Sequence, residues 1–255
     1  MDPKSFRPAL IIVDVQEDFC PPVRIQCNAL QRRRKNANQG GWPQTGSLAV
    51  PDGRTIAPIV NRLLDLPFVL KVATKDWHPA NHVSFASNHP APDNQPFTSF
   101  ATIPNPENAS ETFRTRLWPV HCVQHTAGAE LIPELDRDKL DHVVEKGQDA
   151  RVEMYSALRD PYRDPPVHTS GLPHLLRQSR ISHVYVVGLA MDYCVKFTAL
   201  DCSEMGLDTY VVREGTRAVD AGEKGWDASC TELERAGVTM VSVTGEEVSR
   251  VRDAH

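Results

Sequence analysis

The sequence predicts an α/β protein: a six-stranded parallel sheet with helices on both faces. Two observations predict it. Apolar runs of strand length recur along the 255 residues with helical segments between them, the alternation produced when parallel strands are joined by crossover helices. The runs are also nearly continuous in apolar character, as strands buried on both faces are, instead of alternating like half-exposed antiparallel ones. The six strands are expected at residues 9–15, 68–74, 141–146, 184–188, 209–212 and 239–243.

Between them, Val195, Ala199, Cys202 and Met205 fall on one face of a helix that Gly206 stops. A helix over 222–236 ends at Gly237, and Thr244-Gly245-Glu246-Glu247 is a capping-box pattern opening a last helix. The stretches 20–53 and 87–116 are rich in Pro, Asn, Gln and Gly and read as loops. Within the first, residues 23–45 have so little apolar content that they read as a loosely held polar insertion. A single domain over 1–255 is therefore expected, with that insertion inside it.

Composition narrows the function classes. A net charge of −5 gives no reason to expect nucleic acid or an anionic membrane as partner, and the cluster Arg32-Arg33-Arg34-Lys35 reads as a solvated loop segment. No apolar run reaches membrane-spanning length, and Met1 leads into the first strand with no secretory leader. The six cysteines show no CxxC pair and no disulfide-framework spacing, which suits a reducing compartment. A cytoplasmic protein acting on a small molecule is expected, with a nuclear or peroxisomal pool as the alternative; a homo-oligomer is left open.

In an open parallel sheet the ligand crevice lies beyond the carboxyl ends of the strands, so residues there are where chemistry is sought. Asp14 ends the first apolar run, where desolvation would raise its pKa and suit it to proton transfer; the alternative is an Asp capping the next turn. After the second run come Asp76 and His78, an Asp-x-His pair whose side chains share one side in extended geometry and can share a divalent ion. His82 is a further candidate ligand. His121, after Trp118-Pro119-Val120, could complete an open Asp-His-His site for zinc, iron or manganese, with His125 as its competitor.

Lys146 stands at the inner end of the third core strand, where it must snorkel to water or accompany an anion. The fourth strand and its turn deliver Cys194 to a helix N-terminus, which favours a negative sulfur. Depressing a thiol pKa by about 1.5 units requires about 2 kcal/mol. A lysine about 4 Å away interacts by roughly 4 kcal/mol at an effective dielectric near 20, before desolvation is subtracted. On that arithmetic the Lys146 attraction is large enough to leave Cys194 about half ionised at pH 7, and Asp14 is expected to take the Cys194 proton while Lys146 steadies the thiolate.

With these residues in hand, the chain resembles the nicotinamidase family of isochorismatase-like cysteine hydrolases. The resemblance is carried by Ile12-Val13-Asp14-Val15-Gln16-Glu17-Asp18-Phe19, Lys75-Asp76-Trp77-His78-Pro79, Trp118-Pro119-Val120-His121-Cys122, Glu145-Lys146-Gly147 and Gly188-Leu189-Ala190-Met191-Asp192-Tyr193-Cys194-Val195, in the family's order. It implies a three-layer sandwich and a catalytic trio at Asp14, Lys146 and Cys194. It also implies a metal, zinc before iron or manganese, at Asp76, His78 and His121, with His82 a ligand in some members only.

A cis peptide before Ala190 is implied too, so that the Ala190 and Cys194 N–H groups form an oxyanion hole. Phe19 and Trp118 match positions that sandwich a pyridine ring, whose nitrogen meets the metal. The expected reaction is conversion of nicotinamide to nicotinate and ammonia through a cysteine thioester, in NAD salvage. The length of segment 87–116 is closer to fungal and other eukaryotic members, and the 23–45 insertion is longer than the family pattern. Alternatives are an isochorismatase or carbamoyl/ureido amidase of the same superfamily, a metal-activated water hydrolase with a structural Cys194, and an inactive ligand-binding homologue.

Overall fold

The computed structural model describes residues 5–21 and 46–254. The expected insertion at 23–45, the basic cluster at 32–35 and Cys27 lie outside the described residues. In chain order the elements are β1 (Pro8–Val13), α1 (Ala57–Leu64), β2 (Leu70–Asp76), β3 (Phe100–Asn105), β4 (Asn108–Arg116), β5 (His142–Lys146), α2 (Leu172–Gln178), β6 (His183–Leu189), α3 (Lys196–Glu204), β7 (Asp208–Arg217), α4 (Ala228–Arg235), β8 (Thr239–Val241) and α5 (Glu246–Arg252).

Six strands form one sheet in the order β5-β2-β1-β6-β7-β8, with every pairing parallel. All six expected strands are present. The central pair, β1 and β6, is buried along its whole length, which is why those two runs carry almost no polar residue. Side chains of β1 alternate between two apolar clusters. Leu10 and Ile12 pack with Val60, Leu63 and Leu64 of α1 and Val248 and Val251 of α5. Ala9, Ile11 and Val13 pack with Leu172 and Leu176 of α2, Ala199 and Cys202 of α3, and Leu233 of α4. Helices therefore cover both faces.

From β1 the chain winds outward through β2 to β5, then returns to β6 and winds the other way through β7 to β8. Strand order reverses between β1 and β6, and a crevice opens beyond the carboxyl ends of strands at such a point. Val13 pairs with Gly188 there, and a Cβ on Gly188 would come within 2.0 Å of the Val13 carbonyl oxygen. Only glycine lets the two strand tips approach so closely.

Two expectations are corrected. Residues 87–116, read as a loop, contain the antiparallel hairpin β3–β4. It lies outside the main sheet with most side chains at least partly exposed, so it has no apolar run to reveal it. The last helix is capped at Gly245 with no side-chain cap bond, so Thr244 does not close a capping box, although Glu246 and Glu247 occupy the first turn. Cys194 stands in the first turn of a helical segment, a wide π-helical turn, Met191–Val195, that runs directly into α3; the segment before α4 opens with a similar turn, Glu223–Asp227.

Candidate active site

Three strand tips converge at the crevice. Directly after β1, Asp14 takes a positive φ of 51° and is wholly buried. Its backbone N–H and one carboxylate oxygen both engage the Thr74 hydroxyl, at 3.2 and 2.6 Å. Lys146, the last residue of β5, is also wholly buried, so it does not snorkel. Its Nζ stands 3.1 Å from Asp14 Oδ2 and 3.5 Å from Cys194 Sγ, donates to the Met154 carbonyl at 3.1 Å, and forms a short bond to Asp76 Oδ1. One ammonium thus ties together both carboxylates and the sulfur.

The other oxygen of Asp76 faces His78 Nε2 at 3.5 Å and His121 Nε2 at 4.0 Å. One donor atom from each of Asp76, His78 and His121 lies within 4.8 Å of the others, and all three residues are buried. Each histidine engages a backbone carbonyl through Nδ1 at 2.8 Å, His78 that of Gly147 and His121 that of Pro119. Such bonds place the proton on Nδ1 and leave the Nε2 lone pair free to ligate, the outer-shell arrangement of histidine metal sites. Asp-His-His with neutral imidazoles is a donor set suited to a divalent ion. Gly147, at φ +67°, is required here, because a Cβ on it would lie 2.4 Å from His78 Cε1.

His82 does not join the group. Its ring lies 4.0 Å from that of His78, but Nε2 is turned to the Val152 carbonyl at 3.1 Å and Nδ1 to the Ser84 hydroxyl at 2.8 Å. His125 sits edge-on against Trp77, apart from the cluster. Phe19 and Trp118 line the pocket above the cluster together with Leu48, Tyr155, Tyr193 and Ala190. The peptide Leu189–Ala190 is cis, as the resemblance implies.

The charges differ from the sequence arithmetic at one point. Burial raises the Cys194 pKa well above the usual thiol value, and the nearby Asp14 and Asp76 charges add to it; Lys146 opposes them without prevailing. That direction opposes the partial ionisation expected, because desolvation outweighs one ammonium shared among three groups. Burial likewise raises Asp14, with Lys146 pulling the other way, to about 6. Asp76 goes the opposite way. Burial pushes it up, but Lys146, His78 and His121 together hold it far below the usual carboxylate range. Burial and the neighbouring His78 lower His121 to about 4, so its imidazole is neutral at physiological pH.

Several supporting residues escaped sequence reasoning. Gln16 accepts from the Asp76 N–H at 2.8 Å and donates to the Asp76 and Ala129 carbonyls, both at 2.8 Å, locking the β1 and β2 tips together. Its place two residues after Asp14 was the only available signal. Tyr155 receives the Trp118 indole N–H at 2.9 Å and bonds the Thr115 hydroxyl at 2.8 Å, fixing one pocket wall. Glu153, buried in the pocket lining, has its pKa raised by that burial.

A buried cysteine beside a lysine and a carboxylate, at the switch point of a parallel sheet, defines a cysteine hydrolase of the open α/β type. The chain belongs to the isochorismatase domain family, whose model matches residues 8–245. It is 37% identical over 226 residues to a nicotinamidase of Acinetobacter baylyi, covering 84% of this chain and 97% of that one. A nicotinamidase of Schizosaccharomyces pombe is 36% identical, with 84% of each chain covered, so bacterial and fungal relatives match alike. Among solved structures, yeast nicotinamidase bound to the inhibitor nicotinaldehyde superposes with a TM-score of 0.77 at 30% identity, covering 92% of this chain and 99% of that one. The pyrazinamidase of Pyrococcus horikoshii, solved in complex with zinc, gives a TM-score of 0.62 at 28% identity, covering 94% and 99%.

Proposed function

We infer that this chain is an amidohydrolase converting nicotinamide to nicotinate and ammonia, a reaction of NAD salvage. The observation that carries the reading is Lys146 Nζ contacting Asp14, Asp76 and Cys194 at once, beneath a pocket walled by Phe19 and Trp118. The nicotinamidase relatives support the substrate assignment.

In the proposed reaction, ionised Asp14 takes the Cys194 proton as sulfur attacks the carboxamide carbon. Lys146 neutralises the charge passing between them. The backbone N–H groups of Ala190 and Cys194 are assigned to the oxyanion that forms on the carbonyl oxygen. Asp14 then protonates departing ammonia, and water hydrolyses the thioester to release the acid. Phe19 and Trp118 sandwich the ring and exclude bulk water.

Asp76, His78 and His121 would hold a divalent ion, which when bound supplies a positive, Lewis-acidic anchor for a ring nitrogen. Zinc suits this donor set and is the ion in the Pyrococcus relative; iron and manganese are the alternatives. The match over residues 8–245 supports a single domain with 23–45 as an insertion within it. Among the described residues no helix is long and apolar enough to cross a membrane.

Ammonia release from a panel of aromatic and aliphatic amides, with and without a chelator, tests the function. Pyridine carboxamides should be preferred and the preference lost on chelation. Cys194→Ala should abolish release while bound metal is retained, and near-normal turnover by that variant would defeat the reading.

A further inference from the structure

Trp118, Tyr155, Tyr193 and Val219 line the inner pocket and also wall an outer cavity of about 400 Å³. This cavity lies between the β3–β4 hairpin and the residues around α3 and α4. On the hairpin side two rings stand unusually exposed for their size, Phe97 at 43% and Phe100 at 39%. The Arg114 guanidinium lies 3.9 Å from the Phe100 ring centroid, and that of Arg116 lies 5.0 Å from Phe100 and 6.0 Å from Trp118.

Arg114 and Arg116 form no ion pair among the described residues. Arg116 donates one N–H to the Phe97 carbonyl, but its Nε is buried without a hydrogen-bond partner among the described residues. The acids across the cavity are already engaged. Asp192 accepts from the backbone N–H groups of Val219 and Asp220 at 2.9 and 3.0 Å, Asp220 from that of Gly222 at 2.9 Å, and Glu232 pairs with Lys196 at 2.8 Å. The hairpin side is left with two positive guanidinium groups beside stackable rings and an unfilled donor. A guanidinium fork matches a carboxylate, and the rings match an aromatic plane.

We propose that the outer cavity is a binding subsite for an aromatic carboxylate, the product class of the reaction. This rests on the amidohydrolase reading of the inner pocket. Hydrolysis turns a neutral amide and water into an aromatic carboxylate and ammonium. The anion gains an attraction to Arg114 and Arg116 that the neutral substrate never had. Product held there stands in the entrance, so the subsite also sets product inhibition.

Calorimetric titration of nicotinate into the unmodified chain, Arg114→Gln and the double variant Arg114→Gln/Arg116→Gln tests this at low and high salt. The unmodified chain should show a salt-sensitive class of nicotinate site. In the double variant it should weaken about tenfold or more, the loss of a charge-assisted hydrogen bond, with a smaller loss in Arg114→Gln. Lysine replacements should restore part of the binding, and KM for neutral nicotinamide should not move. Arg114 is exposed, so its variant guards against a folding defect in the other. Equal nicotinate binding by all chains, or binding indifferent to salt, overturns the subsite. Nicotinamide turnover by the unmodified chain tests the inner-pocket reading separately.

Discussion

The tips of β1 and β2 each present a carboxylate to the same ammonium, yet their chemistry diverges. Among the described residues Asp14 has Lys146 as its only cationic contact and the Thr74 hydroxyl as a donor, and burial lifts it to about 6. Asp76 has Lys146 and two histidines, and burial cannot keep it from staying ionised. The difference lies in the two imidazoles that Asp76 faces in addition to Lys146, not in depth. A carboxyl near 6 can take and return a proton at physiological pH, whereas one held far lower is a standing charge suited to a cation.

The largest expected effect comes from removing the proton carrier. Asp14→Asn should lower kcat by about a thousandfold or more, the scale of losing a general acid–base group, while metal content by atomic absorption stays normal. Asp76→Asn should do the reverse in metal analysis, losing the ion. It should also destabilise the fold by about 3–5 kcal/mol in denaturant unfolding, as breaking a buried pair does. If Asp14→Asn instead loses metal, the division between the two carboxylates fails.

A smaller effect sharpens the comparison through pH. In the proposed reaction ionised Asp14 is the active form, so kcat/KM should rise with pH through a midpoint at or below about 6. A dication beside Asp76 favours that ionised form, so metal-depleted protein should show Asp14 titrating at higher pH than loaded protein, measurable by carboxyl infrared bands. A midpoint that ignores metal would separate the two carboxylates electrically. Smallest of all, Tyr155→Phe removes the acceptor of the Trp118 indole N–H. It should raise KM a few-fold with kcat nearly unchanged, the signature of lost uniform binding.

The same contrast explains what could be read from the chain alone. The six sheet strands and the residues near their tips were legible because apolar runs give way to Asp14, to Thr74-Lys75-Asp76, to Glu145-Lys146 and to Asp192-Tyr193-Cys194. The β3–β4 hairpin was not, since it packs outside the core and leaves Phe100 exposed, so burial never imposed a pattern on it. Supports such as Gln16, Thr74 and Tyr155 act through hydrogen bonds across 37 to 113 positions, a relation with no local signature. The ionisation of Cys194 is not legible for a related reason: the Lys146 attraction can be sized from one distance, but desolvation depends on everything that surrounds the sulfur.

In the proposed reaction Asp14, with Lys146 steadying the charge, creates the nucleophile from a resting thiol. Infrared difference spectra at neutral pH between the unmodified chain and Cys194→Ala test this most directly. An S–H stretching band assigned to Cys194 is the result the account predicts; its absence, with Cys194 already a thiolate before substrate arrives, would contradict it.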